Sequence, residues 1–132
     1  MRLSWKLTLK NGYLIMKVEN KIIRRQLTFS ELTIEIKSVG ADILILVSGG
    51  DKPHIGSAVL AIPRKSLREE NKISCTSSIL NVTGHKDEKI CRYLAETFCK
   101  KYNAVTICTG GFHCDNLTPA QIQEVVDAIK IF

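Results

Sequence analysis

The chain lacks any apolar run approaching the roughly 20 residues that a membrane-crossing helix needs, so no bilayer span is expected of it. It also lacks a solidly apolar leader: Met1-Arg2-Leu3-Ser4-Trp5-Lys6 alternates polar and apolar residues. The expectation from both absences is a soluble, cytoplasmic protein with no membrane partner. Aromatic residues make up only 6% of the sequence, and no basic segment is interleaved with stacking side chains. The formal charge of +6 therefore reads as solvated surface charge, with nucleic acid excluded as the expected partner. A mildly positive surface still favours anionic small ligands or an acidic protein through long-range steering. There is no C-x-x-C pair among Cys75, Cys91, Cys99, Cys108 and Cys114, and their number is odd. A disulfide framework and a zinc ribbon are thereby disfavoured, leaving the thiols as small buried hydrophobes. Without secretion, the sequons at Asn81 and Asn116 are chance matches. Internal repeats and low-complexity segments are absent.

What is present is enough for one domain: 132 residues, 45% hydrophobic and 24% charged. Most of the first 82 residues follow a period of two. Leu3, Trp5, Leu7 and Leu9, then Leu14, Met16 and Val18 across Asn11-Gly12, predict a β-hairpin. The stretch through Arg24 and Arg25 is ambiguous, and Leu32, Ile34 and Ile36 resume the alternation. Ile43 to Val47 is continuously apolar and predicts a central strand buried on both faces. Ile55 to Ile62 predicts its neighbour, with Gly56 marking a place where backbone or ligand approaches closely. Pro63 to Lys72 reads as a surface excursion, and Ile73 to Val82 as a strand whose Ser74, Thr76 and Ser78 share one face. Such a row of hydroxyls fits a solvent face or a ligand wall.

From residue 84 the period changes to 3.6. Ile90, Cys91, Leu94, Phe98 and Tyr102 predict a helix from about Asp87 to Tyr102, with Lys100 and Lys101 complementing its carboxyl end. Ala104 to Cys108 predicts a short strand with Val105 and Ile107 on one face. Thr118, Pro119 and Gln121 then form the capping box of a second helix whose core face is Ile122, Val125, Val126 and Ile129. The resulting class is α+β: a mainly antiparallel sheet with two helices and a C-terminal β-α-β-α segment. Residues 1–30 make a hairpin and connector, and residues 31–132 the core of a single domain.

The three histidines all lie in glycine-flanked loops, at His54, His85 and His113. Gly84-His85-Lys86 sits at a strand-to-helix junction, where backbone N–H groups, the helix dipole and the Lys86 charge would seat a phosphate. The G-x-x-x-x-G-K-[ST] spacing of a P-loop is missing, so a plain glycine turn with an exposed lysine is the competing reading. Asp51, Lys52 and His54 surround Pro53, where Asp51 would orient the imidazole or the segment would be a simple hairpin turn. His113, Asp115 and Asn116 follow a strand and precede a helix, so they fit either a site or helix capping. Three imidazoles with Asp51 and Asp115 could hold a divalent metal, but the spacings match no metal motif. Cys114 beside His113 would point to the opposite strand face, against a thiol nucleophile.

Three ordered blocks carry a family resemblance: Gly49-Gly50-Asp51-Lys52-Pro53-His54-Ile55-Gly56-Ser57-Ala58-Val59-Leu60-Ala61, Gly84-His85-Lys86-Asp87-Glu88, and Gly111-Phe112-His113-Cys114-Asp115-Asn116-Leu117-Thr118. They resemble the signature blocks of the prenylated-flavin chaperone family, the small accessory proteins of gallate and other hydroxyarylic acid decarboxylases. The resemblance spans about Leu32 to Ile131 and leaves the first hairpin unmatched. It implies a non-catalytic protein that binds prenylated flavin mononucleotide and assists its delivery to, or maturation in, a decarboxylase catalytic subunit. On the matching positions, Lys86 and the Gly84 and His85 amides would take the phosphate. Asp51, His54, His113, Asp115 and Asn116 would meet polar parts of the flavin or its ribityl chain. The alternatives are a metal-dependent enzyme using the three histidine loops and a ligand-free structural subunit of the decarboxylase. An exposed edge on the N-terminal hairpin would allow a homodimer.

Overall fold

In the computed structural model, residues 5–10, 13–82, 87–130 and 132 are described, with side chains from residue 17 onward. Among the described residues, eight strands and two helices follow one another: β1 Trp5–Lys10, β2 Tyr13–Val18, β3 Lys21–Gln26, β4 Glu31–Val39, β5 Asp42–Gly50, β6 Ser57–Lys65, β7 Ile73–Asn81, α1 Glu88–Tyr102, β8 Thr106–His113 and α2 Pro119–Ile129. The first two strands form the expected antiparallel hairpin, with Lys10 opposite Tyr13. Its Asn11-Gly12 turn lies outside the described residues. The other six make one sheet in the order β3-β4-β5-β8-β6-β7. All neighbours run antiparallel except β5 and β8, which are parallel. The architecture is α+β, ending in β7-α1-β8-α2.

Alternation assigns one sheet face to the core. Leu32, Ile34 and Ile36 of β4, Ile43, Ile45 and Val47 of β5, and Val59 and Ala61 of β6 are buried on it. Against that face lies α1, burying Ile90, Cys91, Leu94, Ala95, Phe98, Cys99 and Tyr102 at helical spacing. Val18 of the hairpin joins the same core. The capping box of α2 forms as the sequence requires: Gln121 N–H donates to Thr118 Oγ1 at 3.2 Å, and Thr118 N–H donates to Gln121 Oε1 at 2.9 Å. Glu124 anchors α2 to the β3-β4 turn by accepting from Thr28 N–H at 2.7 Å and from its hydroxyl at 2.8 Å.

Four expectations need correction. β5 is central but not buried on both faces, because Leu44 and Leu46 alternate with the core residues and stay partly exposed. β6 continues through Pro63 to Lys65. Its pairing with β8 ends at Ala61, so the missing N–H of Pro63 falls where the strand has a neighbour on only one side. β8 has 8 residues and starts at Thr106, not Ala104, running past Cys108 through Gly110-Gly111 to His113, with Thr106 and Cys108 inward and Ile107 outward. In α2, Val125 and Ile129 are buried while Ile122 is 51% exposed. All five cysteines are free; Cys91, Cys99 and Cys108 are buried, and Cys75 and Cys114 half-buried. No helix among the described residues is long and apolar enough to cross a membrane.

Candidate functional site

The topology gathers two of the three histidine blocks, and the start of α1, at one end of the sheet. β5 and β8 are parallel and finish together, with Gly50 opposite His113. The 51–56 segment leaves from this end, and β6 begins there with Ser57 opposite Asn81, the last residue of β7. α1 starts just after β7 ends, and α2 just after β8 ends. Carboxyl ends of parallel strands leave a crevice because the connections diverge from them.

His54 and Asp87 form the centre of this end. His54 Nε2 lies 2.9 Å from Asp87 Oδ2, and Asp87 Oδ1 accepts the Phe112 backbone N–H at 2.8 Å. His54 Nδ1 lies 3.0 Å from the Lys52 carbonyl oxygen, so the ring is held from both sides. The carboxylate is buried, at 6% side-chain exposure, and burial is tolerable because both oxygens have partners. Asp87 occupies the N-cap position of α1 but makes no side-chain cap to it. Its carboxylate is directed across to the 51–56 loop and β8 instead.

Two glycines make room for this pair. A Cβ on Gly56 would press against Asp87 Oδ2 and lie 2.9 Å from His54 Nε2. One on Gly111 would lie 2.8 Å from His54 Nε2 and 2.9 Å from Asp87 Oδ2. The close approach expected at Gly56 is thus real, and the approaching groups belong to the chain itself.

The third block closes on the first. His113 Nε2 lies 2.9 Å from Asp115 Oδ1, and Lys52 Nζ lies 3.7 Å from Asp115 Oδ2. The His113 hydrogen bond, with the Lys52 charge behind it, holds the Asp115 carboxyl below its usual range. The His54 and His113 rings meet edge to face at 6.0 Å. Asp51 contributes its backbone: its N–H donates to the His113 carbonyl at 2.8 Å. The residue that pairs with His54 is therefore Asp87, where the sequence suggested Asp51. Asn116 is exposed in the left-handed region, at φ 57°, in the turn leading to α2. Gly84, His85 and Lys86 lie outside the described residues. Asp115 and Asn116 do not cap α2, since Thr118 does.

Beside the His54–Asp87 pair opens a cavity of about 720 Å³ between the start of α1, the end of β8 and the outer side of α2. Its apolar wall is Phe112, Leu117, Ile122, Val125 and Val126, with Ile90 beneath. Asp87, Glu88, Lys89 and His113 supply polarity at one side, and the half-buried Cys114 also faces it. The volume lies within the range of sites that enclose a cofactor-sized molecule. Phe29 steadies the wall by meeting Phe112 edge to face at 6.1 Å. Among the described residues, no group of three His, Cys, Asp or Glu side chains is arranged to hold a metal ion.

Sequence reasoning missed Asp87, Gly111 and the apolar side of α2 as parts of the site. Asp87 is 33 residues from His54, and no local pattern announces such a contact. The apolar stripe Ile122, Val125, Val126 and Ile129, read wholly as core, was the available signal for a wall.

Residues 28–132 match the family described as prenylated flavin chaperone LpdD-like domain. No curated protein matches the chain. Among solved structures, a chain from a chaperone complex for yeast 20S proteasome assembly is similar at a TM-score of 0.47 and 18% identity, covering 84% of this chain and 90% of that one.

Proposed function

We propose that this chain, which belongs to the prenylated flavin chaperone family, binds prenylated flavin mononucleotide in the α1–β8–α2 cavity. From there it assists the cofactor's delivery to, or maturation in, a hydroxyarylic acid decarboxylase, acting as carrier and not as catalyst. The observation that carries this reading is a cofactor-sized cavity with one apolar and one polar side, lined by Asp87 and Glu88 of the second block and Phe112, His113, Cys114 and Leu117 of the third. When bound in a decarboxylase, the modified flavin supplies the electron sink for reversible decarboxylation; here the protein's task is to hold it.

The residues present fit such a ligand. Phe112, Leu117, Ile122, Val125 and Val126 would cover an apolar ring system and its prenyl extension. Because Asp87 does not cap α1, the first-turn amides of that 15-residue helix are left to an anion, which the positive end of the dipole favours. Lys86 and the Gly84 and His85 amides directly precede that turn and are the proposed phosphate seat. His113, Asp115 and Asn116, with His54 and Asp51 behind them, would meet the ribityl hydroxyls and the polar edge of the flavin. The His54–Asp87 pair sets the position of Phe112 through its backbone N–H, and with it the floor of the cavity.

Titration of the purified chain with flavin mononucleotide and with its prenylated form, followed by absorption, tests the proposal. Prenylated flavin should bind with an altered spectrum, and Lys86→Ala should weaken it about tenfold, as expected on losing one charge-assisted phosphate contact. Absence of binding to either flavin overturns the reading.

A further inference from the structure

The six-stranded sheet has two edges, and the sequence treats them differently. At one edge β3 carries Lys21, Arg24 and Arg25, and charge of this kind keeps an edge strand from pairing with other chains. At the other edge β7 runs nine residues, Ile73–Asn81, without a charge or a proline, and its pairing with β6 is unbroken by any bulge. None of the usual guards is present on β7. Its free backbone groups can be named, because N–H and C=O alternate sides along a strand. Val82 N–H donates to the Gly56 carbonyl at 2.9 Å and Ser66 N–H donates to the Lys72 carbonyl at 2.9 Å, which turns the even-numbered residues toward β6. Ile73, Cys75, Ser77, Ile79 and Asn81 therefore aim their main-chain donors and acceptors away from the sheet, and among the described residues no strand meets them.

We propose that this edge is a docking site for an extended segment of a partner protein, which adds to the sheet as a strand antiparallel to β7. Only an extended backbone can satisfy a row of donors and acceptors about 30 Å long, so the occupant's conformation follows from the edge. Its chemistry follows from the flanks. Beside the Ile73–Thr76 half, Arg64 lies across the outer face with its Nε donating to Thr76 Oγ1 at 2.9 Å, and Lys100 of α1 is exposed on the helix side. Both charges reach Cys75; Glu96 of α1 reaches it too, but is engaged by the Ser77 hydroxyl at 2.8 Å. In the loop after β6, Arg68 and Lys72 match Glu69 and Glu70, which leaves Arg64, Lys65 and Lys100 in excess. Around the other half Ile79 is half-buried, while Leu80 and Val82 are exposed at 77% and 48%. The segment that complements β7 therefore carries apolar side chains toward its amino end and carboxylates toward its carboxyl end. A second β7 does not fit, since antiparallel self-pairing sets the cationic half against Ile79, Leu80 and Val82. Asn81 Nδ2 donates to Glu88 Oε2 at 3.1 Å, so the docked segment starts beside the cavity wall.

An end-capped octapeptide, Val-Thr-Val-Thr-Val-Glu-Val-Glu, added to the full chain at low salt, tests the proposal. It should bind with a Kd on the order of 100 μM, and replacing both glutamates by lysine should weaken it about tenfold. Amide exchange followed by NMR reads the geometry directly. At saturating peptide the Cys75, Ser77 and Ile79 amides should gain about tenfold protection, while those of Thr76 and Ser78, already bonded to β6, should change by less than about twofold. Ser77→Pro removes one outward donor and leaves the β6 ladder intact, so affinity should fall about tenfold. Ser77→Ala keeps that N–H and loses only the bond to Glu96, so its affinity should stay within about threefold of wild type. No binding at about 3 mM peptide, protection that does not alternate, a lysine peptide that binds as tightly, or Ser77→Pro that binds like wild type overturns the proposal. Protection of the Cys75, Ser77 and Ile79 amides that rises with the concentration of the free chain marks self-pairing and overturns it as well.

Discussion

His54 and Asp87 stand 33 residues apart in sequence and 2.9 Å apart in space, and the aspartate's second oxygen holds the Phe112 backbone N–H. One carboxylate thus joins the 51–56 loop, the start of α1 and the end of β8. Asp87→Ala should cost about 3 kcal/mol of stability, because it removes a buried acceptor shared by two donors. Asp87→Asn should cost less, since its amide oxygen still accepts from Phe112 and its NH₂ can donate to a neutral imidazole. Urea denaturation of the two variants gives the comparison.

The glycines that admit this pair set a steric test. Gly56→Ala and Gly111→Ala should each destabilise by about 2 kcal/mol, because the added methyl meets the hydrogen-bonded His54 and Asp87 side chains within 3 Å. Gly40, around whose Cβ position nothing lies within 4 Å but whose φ is +61°, supplies a contrast. Alanine there should show only the smaller cost of the left-handed backbone, on the order of 1 kcal/mol.

Replacement of Ile122 separates binding from folding. It is half-exposed on the cavity wall, so Ile122→Asp should leave the melting temperature within a few degrees of wild type. The same change should weaken prenylated-flavin binding about tenfold, through lost apolar contact and a charge set against the ring system. Val125, buried at the root of the same helix, should instead cost about 2 kcal/mol of stability on truncation to alanine.

Loss of the capping box tests how α2 is aimed. Thr118→Ala removes the hydroxyl that accepts from Gln121 N–H and should cost about 1 kcal/mol. Gln121→Ala should cost less, because it frees only the Thr118 N–H, which water can reach. Thermal melts of the two variants report the difference.

The thiols define the alkaline limit. Burial is the main cause that pushes Cys99 up to about 11 from its ordinary 9.0, and burial also raises Cys108. The unfolded chain therefore releases these protons first, so stability should fall as pH rises from about 9 and level off for Cys99 near about 11. Native alkylation at pH 8 should correspondingly spare Cys91, Cys99 and Cys108, while Cys114 on the cavity wall reacts faster. Mass mapping of the modified sites decides it.

Where each residue's neighbours are close in sequence, the chain could be read directly. Leu32, Ile34 and Ile36 alternate because the sheet has an inside, and Thr118-Pro119-x-Gln121 announces a helix start whatever lies beyond it. The second half of β8 escaped because Gly110 and Gly111 look like punctuation. They are strand residues paired with Val47 and Ser48, and the missing side chain of Gly111 serves the His54–Asp87 contact. Ile43 to Val47 looked buried on both faces because periodicity cannot tell a covered apolar face from a partly exposed one.

The sequence alone determined the α+β class, the helix that starts at a capping box, and the three blocks that mark a prenylated flavin chaperone. These rest on local alternation, caps and ordered motifs, which survive without knowledge of distant contacts. Only the tertiary structure decided that His54 pairs with Asp87 and not Asp51, that α2 turns an apolar side to a cavity, and that Leu44 and Leu46 of β5 stay partly exposed on the sheet's outer face. Each depends on which chain ends the parallel β5–β8 pair brings together, and long-range pairing leaves no trace in short-range pattern.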